Sequence, residues 1–495
     1  MPSLRPGCSQ QHVSIVGKGE DVGMTLAAAT ELWRMSATEM AETIRSRQAS
    51  SQEVIEAHLR RIEAVNPSVN AVVIVMAEQA LAAAKTADRA VADEHPLPPF
   101  HGVPFTVKGN IDVAGTPTTQ GLKALANAYP ARDAPIVERM KSAGGIPIGR
   151  TNLPSGAMRW HCDSELWGAT LNPWDRSRTP GASSAGEAAA IATGLSPLGL
   201  GNDGLGSLRH PAQCCGISAL KPTLGRVPQA SSVEPAEMVP IGVQLTGVSG
   251  PLARRVADLR TAYEIVAGPT WRDPWSVPVP LRGLDLAGPI RVALVLDPGG
   301  HGTAEQVQDG LRKARRALED AGYAVDELEP PGIDAAANAL VVMDSAPGVR
   351  AVWQQLAALS PPDLRRFVAA FFEAAGEPDG MAVEQAFITR QALLRAWGEF
   401  QEIHPLILAP IATDIPRLAG TDLDQGQVAA DIRTMRMAMA VNTLGLPAVA
   451  LPVGIGGGLP QAVQVIGPRY REDLCLDAAQ AIEQRLGILT PIDPR

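Results

Sequence analysis

Two serines stand in glycine-rich turns where a side-chain hydroxyl could act as a nucleophile. One is Ser183, in Gly181-Ala182-Ser183-Ser184-Ala185-Gly186; the other is Ser207, in Asp203-Gly204-Leu205-Gly206-Ser207. Turns this rich in glycine let backbone N–H groups converge on one point, which suits an anion or a developing oxyanion. No G-x-S-x-G elbow accompanies either serine. The eight histidines show no H-E-x-x-H or paired spacing, and His210, between Arg209 and Pro211, reads as structural rather than as a base. Metal-ligand clusters are absent, so no metal and no cofactor is expected. A serine nucleophile here needs another base. Lysine serves if desolvation or a nearby cation keeps it neutral. Lys108 ends the apolar run Val103 to Val107 and enters a Gly109-Asn110 turn, a placement that meets the requirement.

The elements that must position these groups follow from pattern. A capping box at Ser50 and Glu53 opens a helix with Val54, Ile55, Leu59, Ile62 and Val65 on one face, ended by Asn66-Pro67. Strands are expected at 70–75, before Lys108, at 146–149, 197–200, 290–296, from 324 and at 406–410. Helices are expected at 77–92, 135–143, 187–193, 256–267 and 304–321, and Arg150-Thr151-Asn152 reads as a loop. Strands alternating with helices at these lengths predict a mixed sheet covered on both faces. Residues 271–284, rich in Pro and Trp, read as a surface excursion. Residues 332–400 carry helical patterns rich in Ala, Phe and Met that suit either core or the lining of a substrate pocket.

Composition narrows the classes. The chain has 495 residues, 45% of them apolar, with 47 Gly and 42 Pro, as expected of a large α/β core with many tight turns. A net charge of −9 argues against nucleic acid or an anionic membrane as partner. Five cysteines without C-x-x-C spacing, including the adjacent Cys214 and Cys215, fit buried thiols in a reducing compartment, the cytoplasm. The uncharged run 437–465 is long enough to span a bilayer but is broken by prolines and by Gly456-Gly457-Gly458, and reads as two buried strands with a turn. Met24 reads as the natural start, or residues 1–23 as a loose arm, so that 1–35 form an N-terminal extension to a single domain over 36–495.

The chain resembles the amidase signature family along nearly its whole length. The resemblance is carried by SSQEVIEAHLRRIEAVNPSVNAVV (50–73), HGVPFTVKGNIDVAGTPTTQG (101–121), GRTNLP (149–154), NPWDRSRTPGASSAGEAAAIA (172–192), SPLGLGNDGLGSLRHPA (196–212), CGISALKPTLGRVP (215–228) and NTLGLPAVALPVGIGGGLPQAVQVIGPRYREDL (442–474). It implies an α/β fold, a single large domain with a twisted mixed β-sheet flanked by helices on both faces, whose substrate-pocket region varies over about 271–400. It further implies Ser207 as nucleophile, Ser183, after a cis peptide, as proton relay, and Lys108 as base. The amides of Gly204, Leu205, Gly206 and Ser207 would hold the oxyanion. Ser184, Asp203 and Arg209 would brace the two turns, or serve only as turn and N-cap residues. Met158, Trp160, His161 and Gly181 are candidate pocket residues, and a homodimer is implied.

Three departures stand out: Ala182 and Ala185 replace glycines of the family's serine motif, Leu205 stands where glycine is usual, and Gly109 where an acidic residue follows the lysine. These changes are expected to alter substrate fit. The implied activity is cleavage of the acyl C–N bond of small amides and anilides, with carbamates and esters open to the same attack. The alternatives are the amide-hydrolysing component of a tRNA-dependent amidotransferase (its A chain), and a binding protein without turnover. The first calls for polar contacts to glutamine that the apolar 332–400 segment does not suggest; the second predicts a missing catalytic residue, and none is missing.

Overall fold

Alternation along the strands splits the molecule into two faces. The computed structural model describes residues 31–234, 239–424 and 426–495. Its strands are β1 (Val72–Val75), β2 (Pro104–Lys108), β3 (Ile146–Thr151), β4 (Asp163–Ser164), β5 (Gly168–Ala169), β6 (Leu198–Asp203), β7 (Ser218–Lys221), β8 (Val248–Ala253), β9 (Arg291–Leu294), β10 (Ala324–Glu327), β11 (Leu406–Ala409), β12 (Ala448–Gly456) and β13 (Leu459–Ile466). Eleven of them form one sheet in the order β1-β3-β2-β6-β8-β7-β12-β13-β11-β9-β10, and β4 pairs only with β5. Pairing is parallel at β3/β2, β2/β6, β11/β9 and β9/β10, and antiparallel at the other joins. The sheet is mixed and helices cover both faces, as expected.

On one face Phe105, Val107, Leu198, Leu200, Leu406, Leu408, Val463 and Val465 join a core with the helices Val256–Val266, Glu305–Asp320 and Glu472–Leu486. Successive residues of a strand point to opposite sides. Thr106, Lys108, Gly199 and Gly201 therefore face the other way, and this second face carries the candidate chemistry.

The helices Ala77–Ala92, Pro135–Ser142 and Glu305–Asp320 lie within a residue of expectation, and the Ser50–Glu53 capping box is present. Two expectations change. Strand β3 runs through Thr151, so Arg150 and Thr151 are not loop: both pair in the ladder with β2. The run 437–465 is not simply two strands, because Arg436–Thr443 forms a helix before β12 and β13. Its Met437, Ala440, Val441 and Leu444 recur at helical spacing on an apolar core, and no stretch of β-branched residues competes. Leu32 and Trp33 are buried, so the packed body begins before residue 36; residues 1–30, with Met24, lie outside the described residues. Among the described residues no helix is long and apolar enough to cross a membrane.

Candidate active site

Strand β2 delivers Lys108 into the interior, fully buried at its end. Lys108 Nζ lies 2.7 Å from Ser183 Oγ and donates to Asn202 Oδ1 at 2.6 Å. Asn202 Nδ2 in turn donates to Asn110 Oδ1 at 3.1 Å. Burial disfavours the ammonium form and pulls Lys108 down to about 7, against the opposing pull of Asp203 and Glu187. The amine is thus poised to be neutral near physiological pH.

The helix Ala185–Ala192 holds Ser183 and Ser184 at its entrance. Small residues make this possible: a Cβ at Gly199 would fall 1.9 Å from Glu187 Oε2, and one at Gly201 2.8 Å from Ser184 Oγ. The helix can therefore press its polar side onto β6. Glu187 accepts from Thr106 Oγ1 at 2.6 Å and from Thr151 Oγ1 at 2.8 Å. Burial nonetheless pushes its carboxyl up to about 8. The Ala182–Ser183 peptide is cis, as the resemblance implied.

Ser207 follows β6 and is half-buried, ahead of the helix Arg209–Cys215. Its carbonyl accepts from the Ser184 amide at 3.2 Å, which joins the two turns through their backbones. No hydrogen bond links the Ser183 and Ser207 hydroxyls among the described residues. Asp203 fastens the turn from inside. Its carboxylate accepts from the amides of Gly206 at 2.7 Å and Leu208 at 3.1 Å, and from Arg209 Nε at 3.0 Å. Burial alone would raise the Asp203 carboxyl; the Arg209 guanidinium outweighs it and holds the group well below the usual carboxylate range. Arg209 also donates to Gln464 Oε1 at 2.9 Å, the Ala438 carbonyl at 3.0 Å and Asn442 Oδ1 at 2.5 Å.

This arrangement sorts the candidate oxyanion donors. The Gly206 amide is committed to Asp203, whereas the amides of Gly204, Leu205 and Ser207 have no acceptor among the described residues. The departures are also accommodated. The left-handed backbone of the turn falls at Gly206, with φ +96°, while Leu205 does not adopt a positive φ. Leu205 packs instead, half-buried, against a cluster containing Trp160, Leu208, Phe367, Met435 and Met439. Ala182 and Ala185 are fully buried, and neither adopts a positive φ. A side chain at Gly109 would meet Leu153 Cδ2 at 2.8 Å and the Thr151 carbonyl at 3.1 Å, so no acidic residue fits there without a shift.

Of the pocket candidates, Trp160 is buried edge-on to Phe367 at 5.5 Å, which ties its loop to the helix Pro362–Ala375. His161 is buried, its Nδ1 3.4 Å from Thr179 Oγ1, and burial lowers its pKa. Thr179 Oγ1 also accepts from the Gly181 amide at 3.2 Å, linking this loop to the Ser183 turn. Met158 is 43% exposed and has no part in that cluster. Residues 271–284 run over the surface, with Trp271 83% exposed. Cys162, Cys214, Cys215 and Cys475 are buried free thiols. His210 is buried and pulled down to about 4 by burial, consistent with a structural rather than a basic role.

Sequence reasoning missed Asn110, Asn202, Glu187, Asn442 and Gln464. Asn202 could have been found, since it sits beside Asp203 in a motif already singled out. Asn442 and Gln464 reach Asp203 and Arg209 only through tertiary packing and leave no local signal. The same holds for the buried Arg159–Asp422 pair, 2.9 Å apart, that pins the loop after β3.

A family model described as Amidase matches residues 53–476. The indoleacetamide hydrolase of Bradyrhizobium diazoefficiens is 40% identical, over 92% of this chain and 88% of that protein. The A chain of the glutamyl-tRNA(Gln) amidotransferase of Oleidesulfovibrio alaskensis is 30% identical, over 93% of this chain and 99% of its own length. Among solved structures, a bacterial aryl acylamidase of the amidase signature enzymes superposes with a TM-score of 0.79 at 26% identity, covering 91% of this chain and 96% of that one.

Proposed function

The chain belongs to the amidase family, and from that premise we propose that it hydrolyses small aryl- or alkyl-acyl amides through an acyl-enzyme on Ser207. The observation that carries this reading is the 2.7 Å contact between a fully buried Lys108 and Ser183. Neutral Lys108 accepts the proton of Ser183 while Ser183 takes that of Ser207, whose Oγ attacks the amide carbonyl. Before attack the Ser207 side chain turns toward Ser183, a rotation open to a half-buried serine. The free amides of Gly204, Leu205 and Ser207 stabilise the oxyanion. The proton then returns through Ser183 to the leaving nitrogen, and water releases the acid and restores Ser207.

The apolar wall of Trp160, Leu205, Phe367 and Met435 suits an aromatic or alkyl acyl group. The relatives that act on indoleacetamide and aryl acylamides support this class. Anilides, aryl carbamates and esters present the same carbonyl to the same donors. The amidotransferase reading is supported by the 30% identity to the Oleidesulfovibrio protein, but that apolar wall offers glutamine few polar contacts. The test is hydrolysis of indoleacetamide, an acyl anilide, an aryl carbamate and glutamine by wild type and by Ser207→Ala, Ser183→Ala and Lys108→Ala. Turnover of the aromatic amide that collapses in all three variants supports the reading. Turnover of glutamine alone replaces it with the amidotransferase one.

A further inference from the structure

The Pro- and Trp-rich excursion over 271–284 has no part in the chemistry above, yet its first residues wall a cavity of about 510 Å³. Ala114, Arg132, Asp133, Glu138, Trp271 and Arg272 are among its lining, and none of Lys108, Ser183 and Ser207 is. The fold holds these walls in place. Arg139 Nη1 donates to the carbonyls of Val266 at 2.6 Å and Gly268 at 2.8 Å, and its Nη2 to that of Pro269 at 2.9 Å. These bonds fix the chain that leads into Trp271. Arg272, its side chain only 10% exposed, donates to Glu138 Oε2 at 3.0 Å and to the Asp133 carbonyl at 2.8 Å. It thereby ties the excursion to the start of the helix Pro135–Ser142. On the opposite side Asp133 Oδ1 accepts from the Ala114 amide at 2.8 Å.

The side chains of the cavity say which ligand it suits. Both of its carboxylates are already matched, Asp133 by Lys141 Nζ at 2.8 Å and Glu138 by Arg272. Arg132 is left over. It is exposed and makes no ion pair or side-chain hydrogen bond among the described residues, and its guanidinium lies 5.4 Å from the centre of the Trp271 ring. Arg272 Nε, shielded from solvent in the cavity wall, also has no acceptor. Trp271 is 83% exposed, so its indole is an open aromatic platform with a cation at its side. An aromatic face of this kind takes a stacked planar ring, and an unspent guanidinium fork matches a carboxylate. The volume lies within the roughly 300–1,000 Å³ usual for small-molecule sites.

We infer that this cavity is a second small-molecule site, one that takes a planar aromatic carboxylate, its ring stacked on Trp271 and its carboxylate paired with Arg132. The inference stands apart from the reading of Ser207, although the acids released from aromatic amides belong to the same chemical class.

The test is calorimetric titration of the Ser207→Ala protein with indoleacetate and with uncharged indoleacetamide, alone and combined with Trp271→Ala or Arg132→Gln. Both added changes fall on exposed side chains and are expected to leave Tm unchanged. Indoleacetate is expected to lose about fivefold or more in affinity at one site in either variant. Indoleacetamide, without the charge, is expected to bind as before in Arg132→Gln. An indoleacetate isotherm that neither variant changes overturns the inference, whether the acid then binds at the active site or nowhere. Equal losses for the acid and the amide in Arg132→Gln overturn the choice of a carboxylate. The titration reads binding alone, so a failure of the amidase reading leaves its outcome intact.

Discussion

Gly199 and Glu187 are packed so closely that a single methyl group at residue 199 would fall 1.9 Å from the Glu187 carboxylate. This contact lets the Ser183-bearing helix rest on β6 beside Lys108. Gly199→Ala is therefore expected to displace that helix, with a loss of about 1–3 kcal/mol from overpacking and a steep fall in kcat. Urea unfolding read beside steady-state kinetics checks both; a variant with wild-type stability and rate would show that the helix tolerates the shift.

Glu187 also titrates against stability. Its folded pKa is raised to about 8 from an ordinary 4.5, so between those values the folded protein holds a proton that the unfolded chain has lost. This group's contribution to stability is present below pH 4.5 and is lost as pH rises through 8. Glu187→Gln is expected to flatten the decline in Tm across that window. The check is thermal unfolding of both proteins from pH 5 to 9.

Lys108 carries the opposite sign. Its pKa is lowered from 10.5 to about 7, so below pH 7 the folded protein must hold a buried ammonium and is destabilised, a penalty that fades as pH rises. Lys108→Met is expected to raise Tm at pH 6 while abolishing turnover. In wild type, kcat/KM should climb with pH through about 7 as the base becomes neutral. A profile that falls across the same range would exclude a neutral lysine base.

Asp203 and Arg209 are both fully buried and 3.0 Å apart. Removing one partner leaves a charge uncompensated, so Asp203→Asn is expected to destabilise by about 3–5 kcal/mol. It also puts an NH2 donor where Oδ2 accepts from the Leu208 amide and Arg209 Nε, and so loosens the turn that carries Ser207, so kcat should fall further than stability alone explains. Denaturant titration and kinetics at a temperature where the variant is fully folded separate the two effects.

Asn202 presents its carbonyl oxygen 2.6 Å from Lys108 Nζ. Asn202→Ala removes the acceptor that orients the amine toward Ser183, and kcat is expected to drop roughly 10–100-fold. A shift of the pH profile along with the lower rate distinguishes positioning of Lys108 from a general packing defect.

Much of this was legible in the chain. The apolar run ending at Lys108 and the two serine turns were local patterns, and local patterns survive folding. The Leu205 departure was legible only in part, because nothing local shows that Gly206, with φ +96°, is the residue that needs the left-handed backbone. The alternation that turns Thr106, Lys108 and Gly199 to one side was readable once the strands were placed. The partners on that side were not: Asn442 and Gln464 meet Arg209 from more than two hundred residues away in sequence.

Ser207, activated through Ser183 and Lys108, is proposed to form the covalent intermediate. The most direct test is to treat the protein with an alkyl fluorophosphonate and locate the adduct by peptide mass spectrometry. One adduct is expected, on Ser207, absent in Ser207→Ala and formed far more slowly in Lys108→Ala and Ser183→Ala. An adduct on Ser183, or amide hydrolysis that survives in Ser207→Ala, would contradict it.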